Sequence, residues 1–214
     1  MTTKTIKVPF IAGLESMDAA GLDKALESAA KDRIDTVNWP EAYPVKPAVG
    51  LRVARSEKYL AVSYEVCGPD LRATQMCDNG RNWEDSCCEF FVEAGDGSYF
   101  NFETTCIGSV LMARGKGRGD RVQQPLETVV RVIRHSTLER REYDIEGGEH
   151  SWKLTILVPF EIIGLDGNSL PESVGANFYK CGDLTAHPHF VSWNPIPTPN
   201  PDFHRPEYFG RLVF

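Results

Sequence analysis

A period of two, repeated along most of the chain, limits its fold more than any other feature. Leu60, Val62, Tyr64 and Val66 alternate with Ala61, Ser63 and Glu65, and Trp152, Leu154, Ile156 and Val158 alternate with Lys153 and Thr155. Strand side chains point to opposite faces every second residue, so each stretch fits a strand with one face in a core. Strand-length segments recur at 49–55, 59–67, 87–94, 99–105, 109–114, 128–135, 139–145, 151–159, 176–182, 190–193 and 210–214. Ser56-Glu57-Lys58 joins the first two as a hairpin, and Gly95-Asp96-Gly97-Ser98 joins the next two with glycines for a tight reversal. About ten strands with little helix predict an all-β antiparallel sandwich, jelly-roll or immunoglobulin-like.

One short N-terminal helix is predicted over 18–31, because Leu22, Ala25, Leu26 and Ala29 recur at helical spacing and Ser16 or Asp18 can cap it. It is expected to cover one end of the sandwich. Pro40, Pro44 and Pro47 then make an extended wrapping segment. All 214 residues are expected to fold as one domain.

Charge and cysteine content narrow the function. With 23 basic against 30 acidic side chains, the net charge of -7 repels a phosphate backbone, so nucleic acid is not an expected partner. No stretch approaches the roughly 20 apolar residues of a membrane span. Residues 1–10 lack the apolar core of a signal peptide. As written the chain reads as cytoplasmic, with periplasmic or secreted placement if a leader was removed. The six cysteines are too sparse for a disulfide framework, and Cys87 and Cys88, adjacent in a strand, point apart. Mostly free, buried thiols are expected.

Several motifs carry a bland reading. Gly115-Lys116-Gly117-Arg118-Gly119 lacks the Lys-Ser or Lys-Thr of a phosphate loop and reads as a flexible connection. His187, His189 and His204 have metal-ligand chemistry, but Pro188 suggests a loop of surface or hydrogen-bonded histidines. Glu84, Asp85, Glu89 and Glu103 could supply a hydrolytic carboxylate pair, yet nothing separates an acid from a base among them. Trp152 reads as core and Trp39 as an end plug. Trp83 and Trp193 lie in polar, turn-rich contexts, where two aromatics can clamp the apolar face of a sugar ring. Asn101, Arg114 and Asn177 are candidate donors to sugar oxygens, and Glu89 a candidate acceptor.

Nearly the whole chain resembles the family 9 carbohydrate-binding modules. The matching stretches are Trp83-Glu84-Asp85-Ser86 running into Cys88-Glu89-Phe90-Phe91-Val92, Tyr99-Phe100-Asn101-Phe102-Glu103 with Gly108, Trp152 through Pro159-Phe160, and Asn177-Phe178-Tyr179. The most specific is Trp193-Asn194-Pro195 through Phe203-His204-Arg205-Pro206-Glu207-Tyr208-Phe209-Gly210. The resemblance implies a β-sandwich that holds a mono- or oligosaccharide, or a polysaccharide end, between two tryptophans without cleaving it. Trp83, Glu89 and Trp193 fall where its motifs place those roles. It implies no required cofactor and allows a structural calcium. A glycoside-processing enzyme using acidic residues near Glu89, and a haem-binding sandwich using Met76, His189 or His204, are the rival readings.

Overall fold

The computed structural model describes residues 3–214. In chain order the strands are β1 (Thr5–Lys7), β2 (Ala30–Arg33), β3 (Thr36–Val37), β4 (Ala48–Arg55), β5 (Tyr59–Gly68), β6 (Leu71–Ala73), β7 (Cys87–Glu93), β8 (Tyr99–Thr105), β9 (Val110–Gly115), β10 (Val122–Gln123), β11 (Ile133–Ser136), β12 (Tyr143–Ile145), β13 (His150–Pro159), β14 (Ser173–Cys181), β15 (Phe190–Ser192) and β16 (Gly210–Val213). A nine-stranded sheet runs β1-β16-β14-β7-β8-β9-β10, with β15 beside the far end of β14 and β3 beside β15. A five-stranded sheet runs β11-β13-β5-β4-β2. Pairing between these strands is antiparallel except for β1 on β16. The two sheets form the expected sandwich.

Alternation determines what fills the space between the sheets. Leu60, Val62, Tyr64 and Val66 of β5 and Leu154, Ile156 and Val158 of β13 face Phe90 of β7, Phe102 of β8 and Phe178 of β14 in one buried cluster. Phe90 stacks on Phe102 at 5.8 Å and on Phe178 at 5.2 Å. Burying each such ring contributes roughly 1.5–3 kcal/mol. The Tyr64 hydroxyl donates to the Glu89 carbonyl at 3.0 Å, which ties one sheet to the other. Trp152 is buried in this core, as its strand pattern requires.

The helix differs from expectation in extent and place. Asp18 caps it, accepting from the Gly21 amide at 2.8 Å, but α1 spans only Ala19–Ala25 and continues as a 3-10 turn, Leu26–Ser28. Residues 30 and 31 are drawn into β2 by pairing with Val53 and Arg52. Leu22 and Leu26 pack on Ala54, Ala61 and Leu157, so the helix covers the outer face of the five-stranded sheet rather than an end of the sandwich. A second single turn, α2 (Leu126–Val129), replaces the first half of the strand expected over 128–135, because Pro125 starts a turn that the β-branched run cannot override. The strand expected over 139–145 is reduced to β12, which pairs with β6 as a small separate ribbon. All six cysteines are free, with Cys88 in the main core and Cys87 on the other face of β7.

Candidate functional site

Residues of opposite parity on β7, β8 and β14 build a second, outer surface on the nine-stranded sheet. Glu89 and Phe91 of β7 lie beside Glu103 and Asn101 of β8, and beside Tyr179 and Asn177 of β14. The chain from 183 to 209 folds back over this face, and Phe203 stacks on Tyr179 at 4.2 Å. The cover is incomplete. A cleft of about 180 Å³ remains, with Glu89, Glu103 and Cys181 at its floor, Trp83, Phe190 and Phe203 in its walls, and Arg118, Arg121, Asp183 and Asp202 at its mouth.

Local chemistry explains how Trp83 reaches the cleft. Asn82 is buried and its amide donates to the Glu103 and Ser109 carbonyls at 2.9 and 3.0 Å. Asp85 accepts from the Thr74 and Gln75 amides, both at 2.7 Å. Trp83 is held between these anchors in a 3-10 turn, Asn82–Glu84, and stays half-buried with Arg81 over its ring. Its carbonyl accepts from the Asp183 amide at 3.1 Å, which fastens the covering segment to the same turn.

The floor is a set of buried carboxylates. Burial, then the neighbouring Glu103, push the Glu89 carboxyl well above the usual carboxylate range. Burial raises Glu103 as well, against the opposing pull of Arg121. Glu103 Oε1 accepts from Asn101 Nδ2 and Arg121 Nη1, each at 3.0 Å, while Glu103 Oε2 and Asn101 Oδ1 are buried with no partner. Glu89 Oε1 accepts from the Cys181 thiol at 3.0 Å. Burial lifts Asp183 to about 6 and drives His204 down to about 2, with Arg121 and Arg118 adding to the latter. His204 is therefore a neutral ring, bonded through Nδ1 to the Tyr99 hydroxyl at 2.9 Å.

The structure sorts the sequence candidates. Trp83, Glu89 and Asn101 lie at or under the cleft. Trp193 does not: it is fully buried in the main core, edge-on to Phe178, with its indole N–H donating to Asp32 Oδ2 at 2.7 Å. The turn residues after Trp193 had suggested exposure, but they belong to a segment folded back against the sheet. The expected pair of exposed tryptophans is thus absent, since Trp193 offers no free face. Asn177 is fully engaged, accepting from the Phe178 and Asn194 amides at 2.9 Å and donating to the Asn194 carbonyl at 3.1 Å. Arg114 has the other parity on β9. It stacks over Phe100 and bonds Ser98 and Asp96 at 2.9 and 2.7 Å, so it braces a hairpin away from the cleft.

Residues missed from the sequence come from the glycine-rich turn. Asp120 accepts from the Lys116 and Gly117 amides, folding residues 115–120 so that Arg118 and Arg121 reach the cleft. No sequence signal distinguishes such a turn from a flexible connection. Nor are the histidines brought together. His187 bonds Asp70, His189 accepts from Lys180 at 2.8 Å, and His204 packs on Phe91. Met76 packs against the main core, so no haem ligand pair forms from Met76, His189 and His204. Among the described residues, the ligand-spaced cluster is instead Cys87, Glu89 and Cys181. Calcium takes six to eight oxygen ligands, which two sulphurs and one carboxylate do not match.

Comparison with known proteins decides the family. A sequence profile of carbohydrate-binding family 9 matches residues 19–214. The chain belongs to carbohydrate-binding family 9. A candidate carbohydrate-binding protein from Bacteroides uniformis ATCC 8492 is 34% identical over 100% of both chains, with a TM-score of 0.90. A family 9 module from Caldicellulosiruptor kristjanssonii solved with glucose is 11% identical over 98% of this chain and 95% of its own, TM-score 0.58. A family 9 module from Caldicellulosiruptor kristjanssonii solved with cellotriose gives 12% identity over 98% of this chain and 93% of its own, TM-score 0.57. At these identities the two complexes establish the fold alone. No curated protein matches the sequence. Modules of this kind are non-catalytic, so the Glu89 and Glu103 carboxylates belong to a binding module and not to a glycosidase. No helix among the described residues is long and apolar enough to cross a membrane.

Proposed function

We propose that the cleft over the outer face of the nine-stranded sheet is the sugar-binding site, and that it takes one pyranose ring. Trp83 stacks on the C–H face of the ring, and Phe190 supplies a second aromatic surface in place of Trp193. Glu89 and Glu103 accept from ring hydroxyls, and Arg118 and Arg121 donate to ring oxygens. The observation that carries this reading is the meeting of an aromatic wall with buried, incompletely bonded acceptors in one small concavity, the arrangement a polyhydroxylated ring needs. That glucose and cellotriose occupy a module of the same fold supports testing those ligands first.

Stacking on an aromatic face contributes on the order of 1 kcal/mol beyond area burial. Solvent-accessible hydroxyls keep the total modest, so dissociation constants from micromolar to millimolar are expected, about -8 to -4 kcal/mol. Calorimetric titration with glucose and cellotriose, extended to a glycan array, tests the reading. Trp83→Ala should weaken binding at least tenfold, about 1.4 kcal/mol, while barely moving the melting temperature, because its ring is half-exposed. An unchanged affinity in that variant removes the cleft as the site.

A further inference from the structure

Cys87 and Cys181 are direct cross-strand partners on β7 and β14, and both point to the outer face of the nine-stranded sheet. Glu89 lies two residues along β7 on the same side. One ligand atom from each of the three lies within 4.8 Å of the other two, and all three side chains are buried. Cys181 and Glu89 open into the cleft, and Cys87 lies behind them.

Glu89 is singular among the buried carboxylates. Glu103 pairs with Arg121 at 3.0 Å, Asp85 with Arg72 at 3.3 Å, and Glu84 with Arg81 at 2.6 Å. Glu89 is paired with no lysine, arginine or histidine of the described residues, and the side-chain hydrogen bond its carboxylate accepts comes from a thiol. Leaving a buried carboxylate without a cation costs several kcal/mol unless it is protonated or a cation arrives from outside. What would satisfy it must also suit two sulphurs.

The geometry points to a three-ligand site for a soft divalent cation of the zinc class, formed by Cys87, Cys181 and Glu89 at the floor of the cleft, with the fourth coordination position open to the cleft. Tetrahedral zinc takes thiolate at about 2.3 Å and carboxylate at about 2.0–2.2 Å, which sets its ligand atoms about 3.5–3.8 Å apart. In the observed cluster Cys181 Sγ and Glu89 Oε1 are 3.0 Å apart and all three ligand atoms lie within 4.8 Å of one another, close to that spacing. On binding, each thiol gives its proton to solvent and its sulphur electron pair to the metal, and any proton on Glu89 leaves likewise. Neighbouring Arg121 and Arg118 offset the one negative charge that remains. Calcium and magnesium, which require oxygen ligands, are rejected by the same donor set. Metal and sugar would share Glu89, but the metal site does not rest on the sugar reading, since its three ligands hold the ion with the cleft empty.

The test uses the reduced full chain in a Cys67→Ser, Cys77→Ser background, which removes the two thiols that are not buried. Titration with cobalt(II), without sugar, should give one equivalent of binding, with sulphur-to-cobalt charge-transfer absorption and tetrahedral ligand-field bands. Zinc should displace the cobalt one for one. Adding Cys87→Ser or Cys181→Ser should cut the charge-transfer absorption by half and weaken binding at least tenfold, and Glu89→Gln should keep that absorption but weaken binding. In case a serine variant does not fold, proton release is read on the chain with both thiols intact, and at least two protons per cobalt are expected. Absence of charge-transfer absorption at excess cobalt, a weak octahedral spectrum, release of fewer than two protons, or undiminished binding after Cys87→Ser each overturns the site. Sugar affinity measured separately on the metal-free chain keeps failure of this site distinct from failure of the sugar reading.

Discussion

Both faces of the nine-stranded sheet are buried, yet they are built on opposite terms. The inner face presents Phe90, Phe102 and Phe178 to a mostly apolar partner sheet. The outer face presents Glu89, Glu103 and Asn101 beneath a covering of loops. An apolar face gains stability from every ångström of contact, whereas a buried carboxylate loses hydration that only a hydrogen-bond partner or a cation restores. The inner face is therefore held mainly by apolar contact in the free protein. The outer face retains the unbonded Glu103 Oε2 and Asn101 Oδ1, the atoms the proposed sugar would bond.

The sharpest way to break this comparison is to damage the inner face alone. Trp193→Ala should cost about 3–5 kcal/mol, because the ring fills space between Phe178 and Gly210 that no neighbour can occupy. Chemical denaturation measures it, and a loss below about 1 kcal/mol would mean that Trp193 is not core.

A histidine on each side of the sheet gives a smaller, pH-dependent effect. Burial, with Lys180 adding to it, drives His189 down to about 3, and His204 is driven down to about 2. Both folded values lie below the roughly 6.5 of an unfolded histidine. Protons therefore bind the unfolded state preferentially, and the stability present above pH 6.5 is lost as pH falls towards those values. Between pH 7 and pH 5 each histidine should remove about 2 kcal/mol. Denaturation of His204→Gln over this interval should show a loss smaller by about that amount than the parent protein. Identical slopes would place His204 in water.

The finest contrast is between two arginines. Arg121→Gln unpairs Glu103 in the cleft and should weaken sugar binding by about 1 kcal/mol, whereas Arg114→Gln, on the opposite parity, should leave affinity unchanged. Calorimetry on the two variants decides whether the turn arginine, and not the hairpin arginine on β9, belongs to the site.

Long strands were legible in the sequence because their alternation extends over seven to ten residues, as in β5, β7, β8 and β13. Strands β1, β2, β3, β6 and β10 run only two to four residues, too few for a period, and exist because a neighbouring edge needs partners. Glu89 and Asn101 were legible as candidates from their residue types within strand-length segments, and pairing sets both on one face. Residue type could not say what covers that face. Trp193 was misjudged for this reason: Asn194 and Pro195 mark a turn correctly, but burial of the ring depends on Asp32 and Gly210, which lie far from it in sequence. Arg118 and Arg121 were missed because a turn's composition does not reveal which way it leans.

The arginine-bearing turn has a practical consequence. Its shape rests on the Asp120 carboxylate, which accepts from two backbone amides. A side chain added at Gly119 would meet nothing within 4 Å, and at Gly117 only Asp120 Oδ1 at 3.9 Å. Residues 117–119 can therefore be diversified while both sheets stay untouched, which makes this turn an exchangeable cassette at the mouth of the proposed sugar site: acidic replacements of Arg118 would there favour amino sugars, and additional basic side chains uronic acids.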